Sequence, residues 1–152
     1  MSHRFHLVLP WLALSVAAVL VAPAHAATGE DDAVFFRRAA SCVAVLERDA
    51  VSLAGRYRAG ERAVKPSLVK LTEQGFSFIG RAYLRGLRKD EADRLTEEAK
   101  QVQQTMPADA LRQLSTGCQA EGTRLYADAG SLEQMLVSNR ARARVDKLLA
   151  KK

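Results

Sequence analysis

Two cysteines, Cys42 and Cys118, offer the plainest chemistry in this chain of 152 residues. A dithiol redox pair usually sits close in sequence as C-x-x-C, whereas these two stand 76 residues apart. In an oxidising compartment such a spacing points to one structural disulfide, with free redox thiols or an intermolecular bridge as the alternatives. Closing so long a loop contributes roughly 4 kcal/mol by restricting the unfolded chain. A second constellation is carboxylic, since acid and base work by an Asp/Glu pair needs no histidine. Asp49 follows Leu46 by three residues at the edge of an apolar stripe, and Glu121 follows Cys118 by three. A Cys42–Cys118 bridge would bring both acids near one seam, which is the best catalytic arrangement available. The plainer reading pairs each acid with an arginine such as Arg56 or Arg124 at the surface.

The compartment is set by the first 26 residues. A basic start at Arg4, an apolar run from Leu7 to Val21 and the small residues Ala24 and Ala26 around His25 have the layout of a cleavable secretory signal. The run holds about fifteen residues and contains Pro10, short of the roughly twenty that a spanning helix needs. Cleavage after Ala26 predicts a periplasmic chain with no transmembrane segment left. It also removes His3, His6, His25 and Trp11, so the mature chain has no histidine. That excludes Ser-His-Asp and Cys-His nucleophile pairs, and imidazole ligation of zinc or haem. No cofactor or metal site is predicted. The mature chain keeps 22 basic against 17 acidic residues, a mild excess that favours acidic surfaces.

Two basic faces and one glycine-rich helix are the remaining features. Arg81, Arg85 and Arg88 recur at steps that share one side of a helix, as do Arg140, Arg144, Lys147 and Lys151. Solvated cations near helix ends explain both; contact with anionic envelope material or an acidic partner is the functional reading. Nucleic acid is not expected, since export removes it and no binding motif is present. Gly75, Gly80, Ala82 and Gly86 smooth the second helix, and each interior glycine costs up to about 1 kcal/mol relative to alanine. Close packing is the simpler compensation. The alternative is an apolar pocket lined by Gly75, Phe76, Phe78, Ile79, Ala82, Tyr83 and Gly86.

The elements that must position these residues are all helical. After a short disordered tail at 27–30, Asp31 and Asp32 open a first helix whose inward stripe runs from Phe35 to Tyr57 and which Gly60 ends. Lys65, preceding Pro66, is pushed out of helical geometry, and a second helix runs from Pro66 to about Arg88. Asp90 is a plausible cap for a shorter third helix with a thin stripe of Leu95, Ala99 and Val102. Pro107 breaks the chain before a fourth helix, whose stripe is Leu111, Leu114, Cys118, Leu125 and Ala129. Gly130 and Ser131 then separate it from a fifth, with Ser131 and Gln134 at capping-box spacing and Leu132, Leu136, Asn139, Ala143 and Leu149 facing inward. So short a link predicts that the last two helices are antiparallel neighbours. No strand alternation appears. The expected fold is an all-α antiparallel bundle of four main helices plus one shorter helix over residues 31–152, with the disulfide tying the first helix to the fourth.

In size and helicity the chain resembles cytochrome c-prime, but it lacks that family's C-x-x-C-H haem attachment. Leu71-Thr72-Glu73-Gln74 is similar to the L-T-x-x-Q motif of small periplasmic chaperones of the Spy type, with the glutamine one residue early and no second copy. Neither likeness implies a site. The function expected is therefore non-catalytic binding of an envelope component or partner protein. A carrier or sensor of a small apolar ligand comes second, and a carboxylate-based hydrolase third.

Overall fold

The computed structural model describes residues 30–151. The leader, its cleavage point and most of the tail lie outside them. Five α-helices build a bundle: α1 (Asp32–Arg58), α2 (Lys65–Leu84), α3 (Lys89–Gln104), α4 (Ala108–Ala127) and α5 (Ser131–Ala150), with one 3-10 turn at Arg62–Val64. The acidic opening of α1 acts as a cap, the Asp31 carboxylate accepting from the Ala33 amide at 2.7 Å. Its far end is a Schellman turn. The Gly60 amide donates to the Tyr57 carbonyl and the Glu61 amide to the Arg56 carbonyl, a geometry that requires the positive φ of 106° at Gly60.

The same motif corrects the reading of α2. This helix ends at Leu84, and Gly86, at φ 94°, is its left-handed terminator, with the Gly86 amide donating to the Tyr83 carbonyl and the Leu87 amide to the Ala82 carbonyl. Gly86 is thus not an interior glycine, and it carries no interior-helix penalty. At the other end Lys65 is helical, with φ −56° and ψ −46°, because the preceding 3-10 turn delivers the chain already wound into Pro66. Asp90 lies in the first turn of α3, whose cap position is Arg88.

Position in the bundle follows from α2, which packs against α1, α4 and α5, whereas α3 packs against α1. The cross-links give the directions. Arg85 reaches Asp32, Ser115 reaches Asp49 and Arg38 reaches Glu121, so α1 runs antiparallel to both α2 and α4. Glu73 meets Ser138 while Gly80 lies near Glu133, so α5 is antiparallel to α2. The expected side-by-side pairing of α4 with α5 does not occur; they meet at their joined ends with α2 between them. Gln134 shows why. Instead of closing a capping box on Ser131, its amide donates to the Tyr126 and Ala129 carbonyls, 3.0 Å each, and folds the link around the end of α4.

Core residues come from every helix. Phe35, Val45, Leu46, Leu68, Phe78 and Val145 are fully or almost fully buried. Being central, α2 also buries Thr72, Gln74 and Ser77; the first and last turn their hydroxyls back onto their own helix, donating to the Leu68 and Glu73 carbonyls. Three inward stripes differ from expectation. In α3, Val102 is exposed and Gln103 is buried, its amide donating to the Ser41 carbonyl at 2.9 Å. In α4 the buried line is small, made of Ser115, Cys118 and Gly122, with the leucines packed along its flanks. In α5 the buried line is Val137, Ala141, Val145 and Leu148, which leaves Leu132 and Leu136 in solvent.

Candidate functional site

The small line of α4 brings it close enough for chemistry with α1. Cys42 and Cys118 are joined, with sulfurs 2.01 Å apart and Cα atoms at 5.2 Å. The two acids flanking the bridge are not brought together. Asp49 accepts from the Ser115 hydroxyl at 2.6 Å and from Arg48, on one side of the disulfide. Glu121 is paired with Arg38 on the other side, so each acid is met by its own arginine. The arginines that pair with these acids are Arg48 and Arg38, not Arg56, which holds Glu61, nor Arg124.

Two runs of hydrogen bonds meet at Gln119, one through its side chain to Asp49 and one through its main-chain carbonyl to Gln74. A carboxylate only accepts, so Ser115 donates to it, and the Ser115 oxygen accepts from the Gln119 amide at 3.0 Å. One turn on, the Thr123 hydroxyl donates to the Gln119 carbonyl and accepts from the Gln74 amide, both at 2.9 Å. Gln74 is only 5% exposed, and its Oε1 has no partner. It is wedged there by Gly122: a methyl on Gly122 would lie 2.8 Å from the Gln74 Cβ and 3.0 Å from its carbonyl oxygen. Both runs line an open groove of about 660 Å³ between α1, α2 and α4.

The two basic arrays are largely drawn into the fold. Arg85 donates to the Asp32 carboxylate at 2.7 Å and to the Glu30 carbonyl at 2.6 Å, with its guanidinium 4.3 Å above the Phe35 ring. It clamps the start of α1 rather than facing a partner. Arg81 is half-buried, with its Nε sealed from solvent, and Arg88 lies beyond the Gly86 turn, off the α2 face. On α5, Arg144 joins Lys100 on Glu47 at 2.6 and 2.9 Å, binding α5 and α3 to α1. Burial works to raise the Glu47 carboxyl, but the two cations outweigh it and hold it below its ordinary value. Arg140, Lys147 and Lys151 remain exposed.

The glycine-rich helix does not line one pocket. Successive residues turn about 100° around a helix, so a set from Gly75 to Tyr83 is shared among three neighbours. Phe78 and Ala82 fill the core, at 0% and 2% exposure. Gly75 borders a recess of about 110 Å³ against α1 and α5. Phe78, Ile79, Ala82 and Tyr83 border a cleft of about 270 Å³ against α1 and α3. Phe76, Ile79 and Tyr83 also line the side toward α5, where Gly80 floors an apolar groove of about 580 Å³ closed on the far side by Leu132, Leu136 and Val137. Leu84, Leu132, Met135 and Leu136 around it are all more than half exposed. Glu133 and Arg140 stand at its rim. Sequence reasoning found the α2 wall and missed the α5 wall, because Leu132 and Leu136 read equally well as core. The available signal was that α5 carries two apolar stripes, and only Val137–Ala141–Val145–Leu148 runs without a polar residue.

Among the described residues no group of three or more Cys, Asp or Glu is arranged to hold a metal ion, and no helix is long and apolar enough to cross a membrane. Comparisons with protein-family models, with curated proteins and with solved structures find no match to the chain.

Proposed function

We propose that this is an exported, periplasmic binding protein whose α2/α5 groove seats an amphipathic helix of a partner protein. One observation carries the reading: α5 uses one apolar stripe for the core and leaves a second, Leu132 and Leu136, in solvent beside Phe76, Ile79 and Tyr83 of α2. Apolar side chains that converge on a groove and have no cover mark a contact surface. Two antiparallel helices with a glycine floor between them are the usual seat for a third helix, laid in through residues at three- and four-residue spacing. Arg140 and the exposed Lys147 further along α5 favour an acidic flank on the occupant. Export rests on the leader and on the joined cysteines, which suit an oxidising compartment.

The carrier reading has less support, since the predicted pocket residues are divided among separate recesses of about 110, 270 and 580 Å³ and do not enclose one. A hydrolase has less still, with Asp49 and Glu121 held apart and each already paired. The test is site-specific photocrosslinking in the native envelope, with the probe at Leu136 and a control at the exposed Gln113 of α4. A discrete adduct at 136, absent at 113 and lost on Leu132→Glu, supports the groove. Equal adducts at both positions, or a homodimer that L132E dissociates, would overturn the foreign partner.

A further inference from the structure

We propose that the second groove, between α1, α2 and α4, is a saccharide site, distinct from the apolar groove between α2 and α5. Its walls carry hydroxyls and carboxamides from three helices, chiefly Ser52 of α1, Ser67 and Gln74 of α2, and Thr116 and Gln119 of α4. Leu53, Leu71 and Ala120 supply apolar surface among them. At about 660 Å³ it falls in the size range of small-molecule sites.

The charge state of the wall selects the ligand class. Asp49, the one carboxylate in the groove, is already engaged by Ser115 and by Arg48, so its charge is met from within the protein. Lys70, the one cation, is exposed. Beside this one cation stands a neutral set of groups that donate and accept, facing a ligand that must do both at closely spaced points. Sugar hydroxyls do so, while the C–H faces of a pyranose ring suit the leucine and alanine surface. An amino acid or other zwitterion would need a free carboxylate, which Asp49 does not offer.

Gln74 adds a second, independent observation. The Thr123 hydroxyl donates to the main-chain carbonyl of Gln119, so its oxygen accepts from the Gln74 amide nitrogen and leaves the Gln74 carbonyl oxygen over. The oxygen left over is buried, belongs to a groove-lining residue and has no donor. Buried polar atoms are seldom left so. When a ligand enters, the carboxamide exchanges its bond to Thr123 for the ligand, whose hydroxyl supplies the missing donor.

The experiment is a titration of ¹⁵N-labelled, disulfide-intact protein with maltose, trehalose and triacetylchitotriose, followed by amide and side-chain NH₂ resonances. At least one sugar is expected to shift the Gln74 and Gln119 side-chain signals with a Kd in the millimolar range, leaving those of α5 unmoved. Gln119→Ala and, separately, Ser67→Ala should each weaken that binding by about fivefold, the loss of one hydrogen bond, with little change in Tm. No shift with any sugar at about ten times a millimolar Kd overturns the assignment. So does an equal response to L-alanine, or affinity indifferent to both substitutions. These outcomes are independent of the crosslinking at Leu136.

Discussion

Replacing Gly122 by alanine tests the α2–α4 packing that shapes the polar groove between α1, α2 and α4. By intrinsic propensity alone the change should stabilise α4, by about 1 kcal/mol. The added Cβ, however, would lie 2.8 Å from the Gln74 Cβ, 3.1 Å from its Cα and 3.0 Å from its carbonyl oxygen. Carbon atoms rest at about 3.5–4.0 Å, so α2 and α4 must part by roughly 1 Å. Two of the three atoms met are backbone, so no rotamer change relieves the contact. The Gln74–Thr123 hydrogen bond and the Cys42–Cys118 bridge oppose the movement. Overpacking of this kind costs about 1–3 kcal/mol, and here it acts where the structure is tied on both sides. The net expectation is a loss of about 1–2 kcal/mol, or a Tm lower by roughly 4–8 °C for a domain of this length. Gly75→Ala and Gly117→Ala are the internal controls. Both positions are helical with nothing within 4 Å of an added Cβ, and both should gain up to about 1 kcal/mol. Thermal and urea unfolding of the three variants measures this. A Gly122→Ala protein that gains stability like Gly117→Ala would mean that α2 and α4 do not touch there, which would refute the packing described for the groove between α1, α2 and α4.

Reducing the Cys42–Cys118 bridge should lower stability by roughly 4 kcal/mol, read as a fall in Tm on adding reductant, while a thiol assay on oxidised, unfolded protein should find no free cysteine. Acid should unfold the protein partly through Glu47. Its carboxyl is lowered in the folded state, so its contribution is full above the ordinary value of 4.5 and is lost as pH falls through the lower folded value. Glu47→Gln should flatten the acid limb below pH 4.5 in a pH series of urea midpoints. Leu136→Glu should change stability by no more than about 0.5 kcal/mol, whereas Val137→Ala, one residue away, should cost about 1–2 kcal/mol; the reverse order would put the wrong stripe of α5 in the core.

Helix boundaries were legible where local backbone chemistry decides them. Asp31 caps α1, Gly60 ends it, and the breaks at Pro107 and Gly130 fall between helices. Gly86 carried the same kind of signal and was read as an interior glycine, since the arginines on either side continued the helical pattern. Its left-handed φ follows from Leu87, whose buried side chain pulls the chain back onto the core. Ser131 and Gln134 had the spacing of a capping box, yet Gln134 found better acceptors across the link, in carbonyls that exist only once α4 has ended beside it.

By itself, the sequence determined that the chain is helical, where most helices begin and end, and which two cysteines would join. These depend on residues within a few positions of each other, or on there being only one pair to form. Tertiary structure alone decided which face of each helix turns inward. Ser115, Cys118 and Gly122 face the core because α4 must approach α1 and α2 closely, and small residues permit what the neighbouring leucines would block. In α5 two apolar stripes competed, and the one compatible with α2 and α1 was buried. The stripe left over became the candidate partner surface, a consequence of three-body packing that no periodicity within α5 contains.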